Sequence, residues 1–499
     1  MQNNTPQPMT YDLLITGATL YDGTGKTPYV ADVWVKDDEV KLIGTQPSAS
    51  AAKTIDGSGL ILTPGFIDAH AHGEPFKTPA FENFLAMGVT TICLGQDGFS
   101  PDLSEDSHTS GETLESWMYR VDELQPGVNI VMFVGHNTIR MQTGAKYKVE
   151  PTETDFDEME QLLHEGMDLG CFGMTTGLEY NPGFNCKTPE LNRLAKVVGE
   201  RGGMIMSHMR SENDATIIPA IEELLSQGKY CPVQISHIKV VYGKGTSRAE
   251  EICELLNDAR AKGIKATADF YPYTASYTSI EILFPDWAKK PYDYEEVKAT
   301  RGEELTQYLK EKIISRNGPE ATLLGTGPFA GKTLGQVATE LNKPFEEVLR
   351  DDIGPYGAFG AYFIMDEALQ DTLLKYPYTM LCTDGSPFMN HPRSFGSFAK
   401  MIETFVLDKK LFPLEEGIRK MTGLTAETIG ISDRGFIKPG YKADLLLFDP
   451  TEIKANATYE NPMQLSTGFR YVIVNGKVVK EQETFTGART GRVLRKPQL

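Results

Sequence analysis

An α/β fold built on a (β/α)8 TIM barrel, with a second β-rich domain assembled from both chain ends, is what the sequence predicts. Three observations carry it. Eight short apolar runs alternate with longer helix-periodic stretches through the middle of the chain. Strand-like runs without intervening helices occupy both ends. Polar side chains recur just after the apolar runs, where barrels of this kind build their sites.

The N-terminal segment, from Tyr11 to about residue 62, reads DLLITGATLYDGTG, ADVWVKDDEVKLIG and KTIDGSGLILTPG. Val, Ile and Leu fill these runs and Asp, Gly or Pro break them, the pattern of short antiparallel strands. KADLLLFDP and YVIVNGKVVKE repeat that texture near the other end, the second with an Asn-Gly hairpin signal. One discontinuous β-sandwich, residues 1–62 with residues 431–499, follows.

Residues 63–430 form the barrel. Its runs are PGFIDAHAH, TTICLGQ, NIVMFVGH, CFGMTTG, GMIMSH, PVQISH, KATADFYPY and YTMLCTDG. Between them lie DEMEQLLHEGMDLG, ELNRLAKVVGERGG, AIEELLSQGK and AEEICELLNDARAKG, with apolar residues three and four apart. About a hundred residues separate the last two runs, too many for one βα connection. An insertion over the barrel mouth, at about residues 285–350, accounts for them.

A length of 499 residues exceeds one hydrophobic core, and the 40% hydrophobic and 23% charged content is that of an ordinary globular protein. The net charge of −19 (68 acidic, 49 basic) argues against nucleic acid and anionic membranes as partners. Six scattered cysteines form no CxxC pair, which fits a reduced, cytoplasmic setting. The polar start MQNNTPQPMTYD has no signal-peptide pattern, although a signal-trimmed precursor also begins in this way. No apolar run spans a membrane. Neither a P-loop, a GxGxxG nor a GxSxG motif is present, so nucleotide cofactors and a serine nucleophile are not indicated.

The chemistry lies at the ends of the runs. His70 and His72 alternate along a strand, so they share a face and can share a cation. Asp97, Glu179, His208, His237 and Asp384 each follow a later run, and four of the chain's eight histidines stand at such positions. Each alone has an ordinary reading: a packed histidine, or turn chemistry for Asp97 and Asp384. Their succession at matching strand ends is what points to a metal site. Imidazole and carboxylate donors without thiolates suit Zn2+, one ion or two, with Mn2+, Co2+ or Fe2+ as alternatives. Glu179 by position can bridge two ions. Asp384 can take the proton of a metal-activated water and pass it to a leaving nitrogen.

PGFIDAHAH, GVTTICLGQDGFSP, FGMTTGLEYNPG, SHMRSE, QISHIK, DFYPYTAS, TDGSP, HPRSFGSF and the ending KADLLLFDP resemble the N-acyl-D-amino-acid deacylase (D-aminoacylase) family of the amidohydrolase superfamily, in order along nearly the whole chain. The resemblance implies hydrolysis of the amide bond of N-acyl-D-amino acids, or of dipeptides with a C-terminal D-residue. It puts His70, His72 and Asp384 at one metal, and His208 and His237 at a second. Relatives carry a cysteine where this chain has Asp97. Cys93 lies four residues earlier, inside the strand. Glu179 is therefore read as the bridge and Asp97 as its neighbour. The resemblance also implies Arg393, Lys239, Tyr180 and Tyr271 as contacts for the substrate, with Tyr273 sharing the face of Tyr271 and Tyr180 equally readable as loop packing. His136 reads either as a pocket neighbour or as a structural residue. A cyclic-amide hydrolase is the nearest rival, but it calls for a lysine at the fourth strand. A metal-free interaction protein of the same fold is the rival of another class, and it should lack several of these ligands.

Overall fold

The computed structural model describes residues 10–47, 49–103, 112–290 and 292–497. The polar lead, residues 1–9, lies outside them. Among the described residues no helix is long and apolar enough to cross a membrane.

Eight parallel strands form the barrel: Phe66–Asp68, Val89–Leu94, Asn129–Met132, Gly173–Gly177, Met204–His208, Val233–Ile235, Ala266–Phe270 and Thr379–Leu381. Each lies on one of the predicted runs. They pair in chain order, and the third run continues as Val134–Gly135 to join the first strands to the fourth. Every barrel strand from the second to the eighth is completely buried, as an all-parallel sheet covered by helices requires. The seam between strands eight and one closes through Asp384 N–H to His70 O and His72 N–H to Gly385 O, both 2.8 Å. Those bonds join the segments that carry three of the candidate ligands.

The helices sit on the predicted periodic stretches, Glu153–Asp168, Thr188–Glu200, Ile217–Gln227 and Thr246–Ala261 among them. Thr152 and Asp155 start the first of these with a capping box, each side chain accepting from the other's backbone N–H. Cys93 is wholly buried in a cluster inside the barrel with Phe133, Met204 and Met206, and burial pushes its thiol well up.

Strands from both chain ends form one nine-stranded sheet, with Ile61–Pro64 pairing antiparallel to Leu445–Phe448 at the join. Val40, near one edge, and Ile473, on the C-terminal half, share one core with Leu13, Ile15, Leu62 and Leu447, so the sheet curls over its own apolar face. The hairpin Phe469–Val474 to Lys477–Glu481 turns at Asn475 and Gly476, both at positive φ (48° and 76°), which the Asn-Gly pair accommodates.

Two boundaries differ from expectation. The chain after about residue 486 does not stay in the terminal sheet: Val493–Leu494 returns to the barrel and pairs parallel with Asn129–Met132, where it buries its two apolar side chains. The insertion is also longer than residues 285–350. Ala275–Ser279, Phe359–Phe363 and Thr322–Leu324 form a three-stranded antiparallel sheet, and with the helix Tyr294–Ser315 they enclose a separate core around Ile280, Leu283, Leu305, Leu309 and Tyr362.

Candidate metal centre

His70 and His72 extend beyond the first barrel strand, and Asp68 fixes their segment. Its Oδ1 accepts from His70 N–H (3.1 Å) and Thr383 N–H (3.0 Å), and its Oδ2 accepts from the Thr383 hydroxyl (2.6 Å). Asp68 thus laces the first and last ligand segments together. Asp97 stands in the turn after the second strand, flanked by Gly95 and Gly98 at positive φ. A Cβ on Gly95 would lie 2.1 Å from Phe133 O, and one on Gly98 would lie 2.5 Å from Asn137 Oδ1, so the turn packs too closely for side chains there. Asp97, His237 and Asp384 all adopt left-handed backbone (φ 55°, 37° and 45°), a conformation that costs non-glycine residues of order 1–3 kcal/mol and clusters at functional sites.

Four imidazoles converge on the Asp97 carboxylate. Oδ1 lies 3.4 Å from His70 Nε2, 3.4 Å from His237 Nε2 and 3.6 Å from His208 Nδ1; Oδ2 lies 3.4 Å from His72 Nε2. Asp384 Oδ1 is 3.3 Å from His72 Nε2 and 3.8 Å from His70 Nε2. Of four groups of potential ligands among the described residues, His70–His72–Asp97–Asp384 and Asp97–His208–His237 have Asp97 in common, while Glu179–His208–Glu212 adjoins them through His208 and His136–Cys186–Glu190 stands apart. The fit to metal is geometric. A tetrahedral ion with bonds of about 2.0–2.1 Å has ligand–ligand edges of roughly 3.3 Å, close to most of these separations. His70 is fully buried, and among the described residues both its ring nitrogens lack a hydrogen-bond partner, a costly arrangement without a cation.

Electrostatics agree. Burial works against a charged His72, yet Asp384 and Asp97 outweigh it and push the ring up to about 10; Glu212, Asp97 and Glu179 do the same to His208. Burial would raise the Asp97 carboxyl, but the surrounding rings hold it well below the usual carboxylate range. The carboxylates of this site demand positive charge.

Asp97, rather than Glu179, lies among all four imidazoles. Glu179 Oε2 reaches only the outer nitrogen of His208, Nε2, at 3.3 Å, and touches neither His70 nor His72. The physical reason is reach: it stands two residues past the fourth strand, whereas the left-handed turn at residue 97 carries a short carboxylate to the centre. His136, readable as a pocket neighbour or as a structural residue, stands apart from the centre. It begins the helix His136–Gln142 and its Nε2 meets Glu190 at 2.7 Å, where Arg140 also pairs with Glu190, in a buried network apart from the four imidazoles.

Three residues escaped the sequence reading besides Asp68. Glu212 Oε1 lies 3.0 Å from His237 Nδ1 and pairs with Lys239. Asp269 Oδ1 accepts from His237 N–H (2.7 Å). Thr383 bonds Asp68. The alternation Asp68-x-His70-x-His72 was a usable signal for Asp68; nothing in the loop SHMRSE or inside the seventh and eighth runs marked Glu212, Asp269 or Thr383.

The residues named for substrate gather on the same side. Tyr271 has an unpartnered, buried hydroxyl and lies between Lys239 (5.7 Å from its ring) and Arg393 (4.6 Å). Tyr273 instead turns toward Lys400 and His391. The Tyr180 ring packs 4.6 Å from that of His208, with its hydroxyl 3.5 Å from Thr278 Oγ1. Arg393 Nη1 lies 3.0 Å from Asp384 Oδ2.

A family model described as amidohydrolase matches residues 369–480. The D-aminoacylase of Alcaligenes xylosoxydans xylosoxydans is 32% identical over 517 aligned residues, covering 99% of each chain. A D-aminoacylase structure concerned with the role of its binuclear metal centre, with one-metal activation and second-metal attenuation, superimposes at a TM-score of 0.84 and 29% identity over 97% of this chain and 100% of that one. N-acyl-D-glutamate deacylase from Bordetella bronchiseptica, in complex with zinc and a phosphonate mimic of its tetrahedral intermediate, superimposes at 0.83 and 28% identity over 98% and 100%. Similarity of this extent, over a barrel whose strand ends carry four imidazoles and two carboxylates, establishes that the chain belongs to the D-aminoacylase family of amidohydrolases and is an amide-bond hydrolase.

Proposed function

We propose that this enzyme hydrolyses the amide bond of N-acyl-D-amino acids, or of dipeptides with a C-terminal D-residue, at a centre of one or two divalent metal ions, zinc foremost. The carrying observation is the Asp97 carboxylate shared by two histidine pairs, with Asp384 beside one of them. His70, His72 and Asp384 would hold one ion, His208 and His237 the other, and Asp97 both. Bound divalent metal supplies Lewis acidity and a water acidic enough to ionise near neutral pH.

The remaining roles belong to side chains. Asp384 receives the proton of the attacking water and delivers it to the departing nitrogen. Burial alone would raise its carboxyl, but Arg393, with the neighbouring imidazoles, holds it far below the usual range, so the group is ionised. The Nδ1–H of His237 donates to Glu212, which leaves Nε2 free as a ligand; if Lys239 donated to Nδ1 instead, Nε2 would carry the proton and could not bind metal. Tyr271, Lys239 and Arg393 offer a phenol and two cations to the substrate's carboxylate, and Tyr180 lines the His208 side. In this reading residues 63–430, joined by the returning Val493–Leu494, form the catalytic unit and the rest of the two chain ends its β-domain. The six free cysteines, five of them buried, support a reduced compartment such as the cytoplasm.

Metal analysis combined with a hydrolysis screen over N-acetyl-D-, N-acetyl-L- and L,D-dipeptide panels tests this reading. Bound divalent metal and cleavage confined to D-configured products are expected. Exclusive cleavage of L-substrates would overturn the substrate assignment, and a metal-free, inactive protein the whole reading.

A further inference from the structure

The insertion helix Tyr294–Ser315 treats its cations in two ways. Lys298 pairs with Glu295 (2.9 Å), Arg301 with Glu304 (2.6 Å) and Lys310 with Glu346 (3.7 Å). Lys312, and Arg316 at the helix end, have no carboxylate within ion-pair distance among the described residues. Four residues apart, they lie on one face, where like charges destabilise a helix. Burial adds to that cost: Arg316 is 5% exposed, and burial together with the Arg316 charge pulls Lys312 below the ordinary lysine range.

Among the described residues no carboxylate forms an ion pair with either cation. The Arg316 guanidinium lies 5.8 Å from the ring of Tyr242 and 5.1 Å from that of Tyr362, which fix its position without cancelling its charge. Arg316 Nε and the Tyr242 hydroxyl are both buried without hydrogen-bond partners among the described residues. The acids nearest Lys312 are engaged elsewhere, Asp286 with Lys289 (2.8 Å) and Glu179 with His208 (3.3 Å). Tyr242 stands three residues beyond Lys239 in the loop after the sixth strand and is itself at positive φ, 68°. Tyr362 donates to Ser279 O (3.2 Å), next to the Thr278 that Tyr180 approaches. The unpaired cations therefore sit where the insertion meets the loops that carry Tyr180 and Lys239.

We infer that Arg316, Lys312 and Tyr242 form an anion subsite for the side chain of the substrate, so that the enzyme prefers N-acyl-D-amino acids with an acidic side chain, D-glutamate or D-aspartate, over neutral ones. The inference rests on the deacylase reading above. A guanidinium held between two rings presents a fixed fork that a carboxylate can meet with two hydrogen bonds, and Lys312 and the phenol supply further donors.

The test is kcat/KM of the metal-loaded enzyme for N-acetyl-D-glutamate against N-acetyl-D-glutamine, and for N-acetyl-D-aspartate against N-acetyl-D-asparagine, pairs that differ only in charge. The wild type should favour the acid of at least one pair by about 100-fold. Arg316→Gln should erase that preference by lowering kcat/KM for the acid about 100-fold while leaving the amide within about threefold. Lys312→Gln, at a half-buried position that tolerates change, should act in the same direction by about tenfold. Equal turnover of acid and amide by the wild type would overturn the subsite. So would an Arg316→Gln variant that loses both substrates alike, which would make Arg316 a strut between Tyr242 and Tyr362. Cleavage of neutral D-substrates without acid preference defeats the subsite alone, whereas failure to cleave any D-substrate defeats the deacylase reading beneath it.

Discussion

Arg393 Nη1 lies 3.0 Å from Asp384 Oδ2, and both side chains are buried. The arginine therefore does two things for one carboxylate: it offsets the cost of burying a charge, and it points the other oxygen, Oδ1, at His72. Removing one partner of a buried pair costs about 3–5 kcal/mol because the other charge is left uncompensated. Arg393→Met should accordingly lower unfolding stability by about that amount and kcat/KM by more than 100-fold. Asp384→Asn should abolish turnover. The double variant should recover much of the stability and none of the activity, and a thermal or urea double-mutant cycle reads the difference. Additive stability losses would mean that the pair is not coupled.

Asp97 and Glu179 can be told apart by metal stoichiometry. Asp97→Asn should retain fewer ions per chain, since it weakens the one carboxylate that both ligand groups share. Asp97→Cys should retain both, and with cobalt substituted it should gain a thiolate charge-transfer absorption that the wild type lacks. Glu179→Gln should keep its full metal complement with affinity weakened about 10–100-fold, because it loses only the acceptor for His208 Nε2–H. Loss of one ion in Glu179→Gln with none in Asp97→Asn would restore Glu179 to the bridging position.

Away from the metal centre, Lys420 gives the fold a pH signature. Its ammonium is fully buried and donates to Tyr376 O (2.6 Å) and Thr379 O (3.0 Å), with Glu416 3.8 Å away; burial pulls it down to about 7. A lysine depressed in the folded state binds fewer protons there than in the unfolded chain between about pH 7 and its ordinary value near 10.5. Stability from this group must therefore rise with pH across that window and be lowest below it, by up to ~4–5 kcal/mol. Lys420→Met should flatten the slope of unfolding free energy against pH between 7 and 10, whatever the absolute cost of leaving two carbonyls without a donor. An unchanged slope would show that Lys420 stays charged throughout.

The barrel was legible because each strand is a buried parallel one and so reads as a continuous apolar run, while each covering helix shows its own periodicity. Position along the chain also singled out His70, His72, His208, His237 and Asp384, each at the end of a run, and the structure brings them together. What sequence position does not carry is how far and in which direction a loop takes its side chain. Asp97 looked like turn chemistry, and it is a turn, but its left-handed backbone aims the carboxylate into the middle of the histidines. Glu179 stands at an equivalent strand end yet meets only the far side of His208. His136 follows the third run in the same manner and turns away to Glu190 at the head of a helix. The insertion was underestimated because Ala275–Ser279 continues the aromatic, β-prone texture of the seventh run, so the change of sheet leaves no mark in composition.

Glu212 is the residue whose role depends most on three-dimensional placement. One carboxylate serves two buried partners: Oε1 lies 3.0 Å from His237 Nδ1, and the same atom pairs with Lys239. Burial would raise its carboxyl, but Lys239 and the imidazoles of His208 and His237 draw it down to about 2, so at neutral pH it accepts from both. Glu212→Gln keeps the shape but loses the charge that holds the Nδ1–H tautomer of His237 and compensates Lys239. Metal affinity should fall about 10–100-fold, as for other carboxylates that orient ligating histidines. KM should rise more than kcat falls, because a freed Lys239 shifts the cation offered to the substrate carboxylate. Glu212→Asp, charged but shorter, should recover part of the metal affinity and little of the KM. Metal titration monitored by dialysis, alongside steady-state kinetics, separates this from a packing defect: a purely structural Glu212 would lose thermal stability in both variants with metal affinity unchanged.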